Sequence, residues 1–359
     1  MSKAAANERG IALLIVLMIV AVLTITVMEF TYSVELDQHR ARHALQALQA
    51  QLLARSGVNI AQAFLIQDQE PKFDSYTEDW WLQLQQFCTG LEIDPTMRIK
   101  CGVEDESGKI NINSSKMSAA SLQQTGQPRT TKDAYIRDAL RRLFDAHQIP
   151  VANDQNIGDA LEAYWQQDPP PGEQTVPFFK SVEEFAAYFQ IPTRYLPRLR
   201  HLLTTRSRTG INVNTADPEV LTLVINDDKS VQQIVEDRAD QPIQNTGQIT
   251  STLSNNNVAN ATVVASLFGV RSQFFRLEAS AVANADPSGA PNTGIGQTVS
   301  LLVERKPTRQ AQGDPGPLWT LSPLDWQKEG GARLFSQHAL DDTDDGNHEG
   351  GLDPLSGVP

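Results

Sequence analysis

The chain has few cysteines, a deficit of basic charge, no proline in its first seventy residues and no catalytic signature. Cys88 and Cys101 are the two cysteines among 359 residues. In an oxidising compartment they would pair, and so short a loop would contribute about 3 kcal/mol. In the cytosol they would be two reduced thiols, Cys101 facing a core, so the compartment decides. Size alone requires no staple, because a chain this long buries real cores. Lys and Arg number 30 against 43 Asp and Glu, for a net charge of −13. Such a chain repels phosphate backbones and anionic lipid surfaces, which opposes nucleic acid as a partner. There is no P-loop, GxSxG or CxxC, and the six histidines form no HExxH pattern. No enzyme is expected from these absences. His39 and His43, four residues apart, fit an exposed helix face.

What is present begins at the N-terminus. Lys3 and Arg9 precede an uncharged run, residues 11–28, in which Thr24 and Thr26 are the polar residues. About 18 residues make a helix of about 27 Å, close to the hydrocarbon thickness of a bilayer. The basic residues ahead of it keep the N-terminus cytoplasmic and place everything after Glu29 outside. A cleaved secretory signal is the rival, but no Ala-x-Ala follows the run. No proline occurs before Pro71, and Leu45, Leu48, Leu52, Leu53, Ile60, Phe64 and Leu65 recur mostly every third or fourth residue. One long helix, half apolar and half amphipathic, is predicted. A simple transmembrane anchor is the plain alternative.

Two islands read as strands. In residues 98–113, Ile99, Cys101 and Val103 alternate, Ser107-Gly108 is a turn signal, and Ile110 and Ile112 alternate again. In residues 274–304, Phe275, Leu277, Ala279 and Ala281 alternate before a strand-like 298–303, around a loop with Asp286-Pro287-Ser288-Gly289. Between the islands the pattern is helical: Ile136, Leu140, Leu143 and Phe144 share one face, and Ile157, Leu161, Tyr164 and Trp165 another. Helix starts are predicted at Ser181 with Glu184, at Asp217-Pro218, and at Ser230 with Gln233. The predicted class is α+β: a long N-terminal helix packed on a small antiparallel sheet, interrupted by an inserted all-α unit. Gly108-Lys109-Ile110-Asn111-Ile112-Asn113 is echoed by Gly210-Ile211-Asn212-Val213-Asn214, and the asparagines read as caps rather than ligands.

A short basic leader ending in Gly10 before a long apolar helix resembles a type IV prepilin leader. The resemblance implies cutting between Gly10 and Ile11 by a prepilin peptidase, and N-methylation of Ile11. Most pilins carry Glu at the fifth mature position, which here is Ile15. A lone carboxylate in lipid needs a partner, such as a neighbouring subunit's terminal amine, and a subunit at the end of a filament lacks that neighbour. Protein K of the type II secretion system is the pseudopilin that lacks this Glu. The chain resembles that family again in Ser107-Gly108-Lys109-Ile110-Asn111-Ile112-Asn113, in Ile211-Asn212-Val213-Asn214-Thr215-Ala216, and in Trp165-Gln166-Gln167-Asp168, then Gly172-Glu173 and Ser181-Val182-Glu183-Glu184.

What the resemblance implies is a pilin-like fold with a SAM or helix-hairpin-helix-like insertion. Its divisions are a leader (1–10), a transmembrane part (11–30), a discontinuous pseudopilin domain (31–113 and 271–306) and a helical insertion (114–270). The implied function is that of an inner-membrane-anchored minor pseudopilin at the tip of a periplasmic pseudopilus, serving protein export across the outer membrane. Implied partners are the minor pseudopilins I and J, the major pseudopilin, the peptidase, and secreted substrate or the outer-membrane secretin. A minor pilin of a type IV pilus shares the leader and fold. No cofactor is required. Calcium is implied for some members, with Asp168 and Glu173 as candidate ligands.

Two further patterns bear on nucleic acid and metal. Residues 212–216 and 231–238 resemble a helix-hairpin-helix module of an anchored DNA-binding protein. Its hairpin, Asn226-Asp227-Asp228-Lys229, has no glycine and two carboxylates, which oppose phosphate. Asp341-x-Thr343-x-Asp345-Gly346 resembles half an EF-hand loop, but Leu352 stands where a bidentate Glu is needed. The tail, 307–359, is rich in Pro, Gly and Asp, and is expected to be largely disordered, with Trp319, Leu321, Leu324 and Trp326 as residues that could dock.

Overall fold

The computed structural model describes residues 4–70, 72–89, 91–94, 96–116, 131–152, 155–173, 175–207, 209–283, 295–308 and 319–330. With no proline to interrupt it, helix α1 runs unbroken over Ala4–Ile66. Its C-terminal half packs across a five-stranded sheet. Ala50, Ala54, Val58, Ala61 and Leu65, three or four residues apart, are its fully buried positions. Of the apolar repeat read in the sequence, Leu65 is buried and Leu53, Ile60 and Phe64 pack against the core, while Leu45, Leu48 and Leu52 are exposed. Helix and sheet approach closely at Gly57. A Cβ on Gly57 would lie 2.7 Å from Ala279 Cβ and 3.0 Å from Ile99 Cγ2, so a leucine-sized face could not seat there.

The sheet has the order β1-β2-β7-β8-β9, formed by Leu91–Asp94, Met97–Asp105, Phe274–Ala283, Ile295–Pro307 and Trp319–Gly330. All its pairings are antiparallel, with Cys101 opposite Ala279, Leu277 opposite Leu301, and Leu301 opposite Trp326. Alternation puts Ile99, Val103, Phe275, Leu277, Ala279, Val299 and Leu301 on the face under α1. Helix α2, Asp79–Cys88, adds Trp80, Trp81, Leu84 and Cys88 to this core.

Strand β9 corrects the reading of the tail, since residues 319–330 are an ordered edge strand rather than a loose tether. Trp319 is buried, with the Arg305 guanidinium 4.4 Å from its ring centre, and Arg55 of α1 lies 6.0 Å from the Trp326 ring centre. Pro323 falls where the register shifts, which is where an edge strand tolerates proline. Residues 331–359 lie outside the described residues.

A second core is built by helices α3 (Lys132–Ala146), α4 (Ile157–Trp165), α5 (Val182–Tyr188), α6 (Leu196–Leu202), α7 (Pro218–Ile225), α8 (Asp228–Asp240), α9 (Thr246–Asn255) and α10 (Ala261–Ala265). The two faces predicted on α3 and α4 are both buried in it. Asp217 caps α7 as predicted, accepting from Glu219 N at 2.7 Å. Ser230 does not start a helix. It is buried inside α8, and Asp227 is the cap, accepting from Ser230 N at 2.9 Å. The capping box falls instead on Asn245 and Gln248.

After Asp105 the chain does not turn back into the sheet, as the predicted Ser107-Gly108 turn implied. It forms a short 3-10 turn, and β3 (Ile110–Asn111) then pairs in parallel with β4 (Leu203–Thr204). The echoed motif does the same, β5 (Ile211–Asn212) pairing in parallel with β6 (Phe268–Gly269). Close packing explains the glycine that opens the second motif. A Cβ on Gly210 would lie 2.6 Å from Leu267 O and from Phe268 C.

Candidate functional sites

The first surface is the apolar half of α1. Ile11 and Ile15 are each 54% exposed, and the apolar side chains from Leu13 to Phe30 are exposed around the whole helix. This helix is long and apolar enough to cross a membrane, and none of its apolar window is buried. Its polar side chains are satisfied internally: Thr24 Oγ1 donates to Val20 O at 2.8 Å and Thr26 Oγ1 to Val22 O at 2.9 Å. A hydroxyl bonded back to its own helix can enter hydrocarbon at little cost. Gly10 lies within the same continuous helix, next to Ile11. With isoleucine at position 15, the first acidic residue after Gly10 is Glu29. A helix apolar on all sides is stable only when lipid or other apolar surfaces cover it.

The other sequence candidates lie apart. Cys88, at the end of α2, is disulfide-bonded to Cys101 in β2, with a Cα–Cα distance of 4.9 Å. Asp168 and Glu173 are both exposed on the loop after α4. Glu173 N closes a turn onto Pro170 O at 2.9 Å, with Gly172 at φ 92°. Among the described residues, no three His, Cys, Asp or Glu side chains converge as metal ligands. The half EF-hand pattern at Asp341 lies outside the described residues. In the hairpin between α7 and α8, Asn226 is left-handed at φ 56° and Asp227 is spent as a cap.

The echoed asparagines form matching latches. Asn113 Oδ1 accepts from Phe179 N at 2.9 Å, while its Nδ2 donates to Phe179 O at 2.9 Å. Asn214 Oδ1 accepts from Ile243 N at 2.8 Å, and its Nδ2 donates to Ile243 O at 2.9 Å. One position earlier in each alternation, Asn111 and Asn212 accept from the backbone N–H of Asn113 and Asn214, both at 3.0 Å. The motif therefore does more than cap: each copy clamps a distant loop of its own helical unit.

The feature that sequence reasoning missed is the seam where the helical insertion meets the sheet. Asp105, the last residue of β2, accepts from Ser107 N at 2.7 Å and Thr215 Oγ1 at 2.5 Å, and Ser272 Oγ also donates to it. Asn212 Nδ2 donates to Ser272 Oγ at 2.7 Å and to Asp74 O at 3.0 Å. Arg305, at the end of β8, donates to Asp68 Oδ2 at 2.6 Å and also to Asp74. Its guanidinium stacks 4.8 Å from the Phe275 ring centre. Burial pushes the Asp74 carboxyl up to about 6 despite the opposing Arg305 charge. Burial also raises Asp105.

A second ionic group adjoins it. Glu106 accepts from Arg276 Nε at 2.7 Å, from Lys109 Nζ at 3.2 Å and from Thr204 Oγ1 at 2.6 Å. Lys109 also reaches Arg200 O at 2.8 Å. Glu106 is held low, the Lys109 and Arg276 charges outweighing its burial. Single acidic or serine residues 60 to 200 positions apart carry no sequence signal of this kind. The one available hint was the pair of Asn motifs flanking the insertion.

Comparisons with known proteins agree with this geometry. Residues 211–271, which run from β5 through α10 and β6, match the family model of Type II secretion system (T2SS), protein K. No curated protein sequence matches the chain. Among solved structures, the chain is similar to a chain in the crystal structure of the GspK-GspI-GspJ complex from the enterotoxigenic Escherichia coli Type 2 Secretion System. The identity is 16%, the TM-score 0.52, and the match covers 81% of this chain and 100% of that one. That likeness carries the fold, a long N-terminal helix on a small antiparallel sheet. The resemblance to protein K of the type II secretion system read from the sequence is thus borne out, by the family model over the second half of the insertion and by the fold over most of the chain.

Proposed function

We propose that this protein is a minor pseudopilin of a type II secretion system, anchored in the inner membrane and placed at the tip of a periplasmic pseudopilus. The carrying observation is α1: one continuous helix, exposed and apolar on all sides at one end, packed on the sheet at the other. Such a helix can be stored in lipid and later packed among sister helices without refolding the head. The bulk of the helical insertion at the far end would hinder another subunit from stacking above it. Ile15 fits that place, because a tip subunit has no later subunit whose amine would need a carboxylate. The partners of this reading are pseudopilins of the I and J types, since the similar chain was crystallised with GspI and GspJ. Lys3 and Arg9 orient the N-terminus to the cytoplasm and the head to the periplasm. The role is structural, and calcium at Asp168 and Glu173 is a separate question for a calcium titration.

Mass spectrometry of the mature protein tests the reading. The expected N-terminus is methylated Ile11, and Gly10→Val should accumulate the uncleaved precursor and abolish export. A mature chain that still carries its first ten residues would overturn it. Loss of twitching rather than of export on deletion would turn the reading to a type IV pilus.

A further inference from the structure

Beyond its membrane half, α1 stands bare before it meets the sheet. Residues 31–45 are all exposed, and the first fully buried position is Ala50. On this stretch one stripe carries no charge: Val34, Gln38, Ala41, Leu45, Leu48 and Leu52, alternately four and three residues apart. Val34 is 38% exposed, and Leu45, Leu48 and Leu52 are 57%, 51% and 54% exposed. Glu29, Glu35, Asp37, Arg40 and Arg42 all lie off the stripe. It faces away from the sheet, because Ala50, Ala54, Gly57 and Ala61 turn the opposite side of α1 toward it. It ends at Arg55, where the edge of the head begins, the guanidinium lying 6.0 Å from the Trp326 ring centre. Upstream the same register continues as Leu17, Val20, Thr24, Val27 and Thr31. Its two threonines donate their hydroxyls to Val20 O at 2.8 Å and Val27 O at 2.9 Å, so they present no unmet donor. Alternating three-four spacing averages about 3.5 residues, which keeps a stripe facing one partner helix along its whole length.

We propose that this stripe pairs α1 with the α1 of a second copy of the chain, in parallel and in register, while the protein is stored in the inner membrane. The charges beside the stripe choose the partner. In a parallel pair, the residue just before one stripe position faces the residue five places later on the other helix. That sets Asp37 against Arg42 of the second copy, and Arg42 against its Asp37: two ion pairs made by one sequence meeting itself. On its own helix Asp37 pairs with Arg40 at 3.3 Å, both side chains 70% exposed, a contact worth little and easily exchanged. Gln38 in the stripe meets Gln38 of the second copy, a polar contact of the kind that fixes register at some cost in stability. The leucines supply the apolar contact, with the helices crossing at about 20°. A parallel pair suits one membrane, since both N-termini start on the same side. The two heads lie on the outer sides of the pair and leave the stripe clear. The proposal rests on storage of α1 in the membrane and not on placement at the tip, so cleavage after Gly10 and export can hold while pairing fails.

Single added cysteines on the full chain, oxidised in membranes of cells that keep the peptidase and lack other pseudopilins, test the pairing. Cys88 and Cys101 are bonded to each other and leave the added thiol to report. Ala41→Cys and Leu48→Cys should cross-link into dimers, and His43→Cys, on the far side of the helix, should not. Asp37→Arg or Arg42→Asp should each lower the Leu48→Cys dimer yield by about fivefold, two exposed pairs being lost at once. The double change Asp37→Arg with Arg42→Asp should restore it. All these positions are exposed on α1, so the variants leave both cores intact. Cross-linking of His43→Cys equal to that of Leu48→Cys sinks the proposal, as does a double change no better than either single one. So does a dimer that forms only when I- and J-type pseudopilins are supplied, because the stripe then belongs to a different helix. A chain processed normally at Gly10 but never cross-linked refutes the pairing and leaves the pseudopilin reading standing.

Discussion

Replacing Asn214 by alanine separates a structural motif from a ligand site. Asn214 is 7% exposed and Ile243, which it clamps through both backbone groups, is 4% exposed. Alanine leaves one N–H and one C=O buried without partners, at about 1–3 kcal/mol each, so the expected loss is about 2–6 kcal/mol. That is a large share of the 5–15 kcal/mol, roughly, by which a domain is stable. The twin position gives an internal control. Asn113 makes the same reciprocal pair with Phe179 but is only half-buried, so water can replace part of it and Asn113→Ala should cost less. Asn214→Asp should fall between, because it keeps an acceptor for Ile243 N but sets an oxygen against Ile243 O. Urea unfolding of the full chain in detergent, followed by circular dichroism, measures all three. If both alanine variants lose less than about 1 kcal/mol yet export fails, the asparagines are ligands and the clamp is incidental.

Three other perturbations bear on the seam and the packing. Arg305→Leu should cost roughly 3–5 kcal/mol, because it strands two buried carboxylates. The loss should shrink at pH 5, where Asp74, raised to about 6, takes up a proton; a loss independent of pH in urea melts would contradict this. Gly210→Ala should lower stability by roughly 1–3 kcal/mol, since the added carbon meets backbone rather than a movable side chain; an unchanged melting temperature would show that β5 and β6 sit further apart. His201 is raised to about 9 by its hydrogen bonds, first to Asp217 at 3.0 Å and then to Glu104. Its contribution is therefore full below about 6.5 and lost as pH rises through 9; an NMR midpoint under 7 for its ring would disprove the pairing.

Some of this architecture is legible in the sequence because it depends on local rules. The length of α1 follows from the absence of proline, and its membrane half from an uncharged run. The buried faces of α3 and α4 follow from helical spacing. The apolar repeat of α1 marks only part of its face on the sheet, through Leu53, Ile60, Phe64 and Leu65. Hydropathy favours Leu45, Leu48 and Leu52, whereas close approach selects Ala50, Ala54, Gly57 and Ala61. Strand β9 was missed because Pro323 and the polar residues around it suit an edge at a register shift, a context that composition cannot reveal. The seam was out of reach altogether. Asp105 meets Asn212 across 107 residues, and Ser272 meets Asp74 across 198; no periodicity encodes such pairs.

The position of the seam explains how the sheet tolerates so large an insertion. Strands β2 and β7 are antiparallel neighbours, and Asp105 at the end of one lies opposite Phe275 at the start of the other. The insertion therefore leaves and returns across a single hairpin gap. A disordered loop of roughly 170 residues in place of a four-residue turn would cost only about 3 kcal/mol more in closure entropy, because that cost grows with the logarithm of length. A folded insertion with its ends already side by side costs less still. Ser107 Oγ accepts from Gln273 N at 3.2 Å, and Ser272 bridges back to Asp105, so the two ends are tied to each other before either is tied to the sheet. Arg305 then ties the sheet to the 67–78 segment through Asp68 and Asp74.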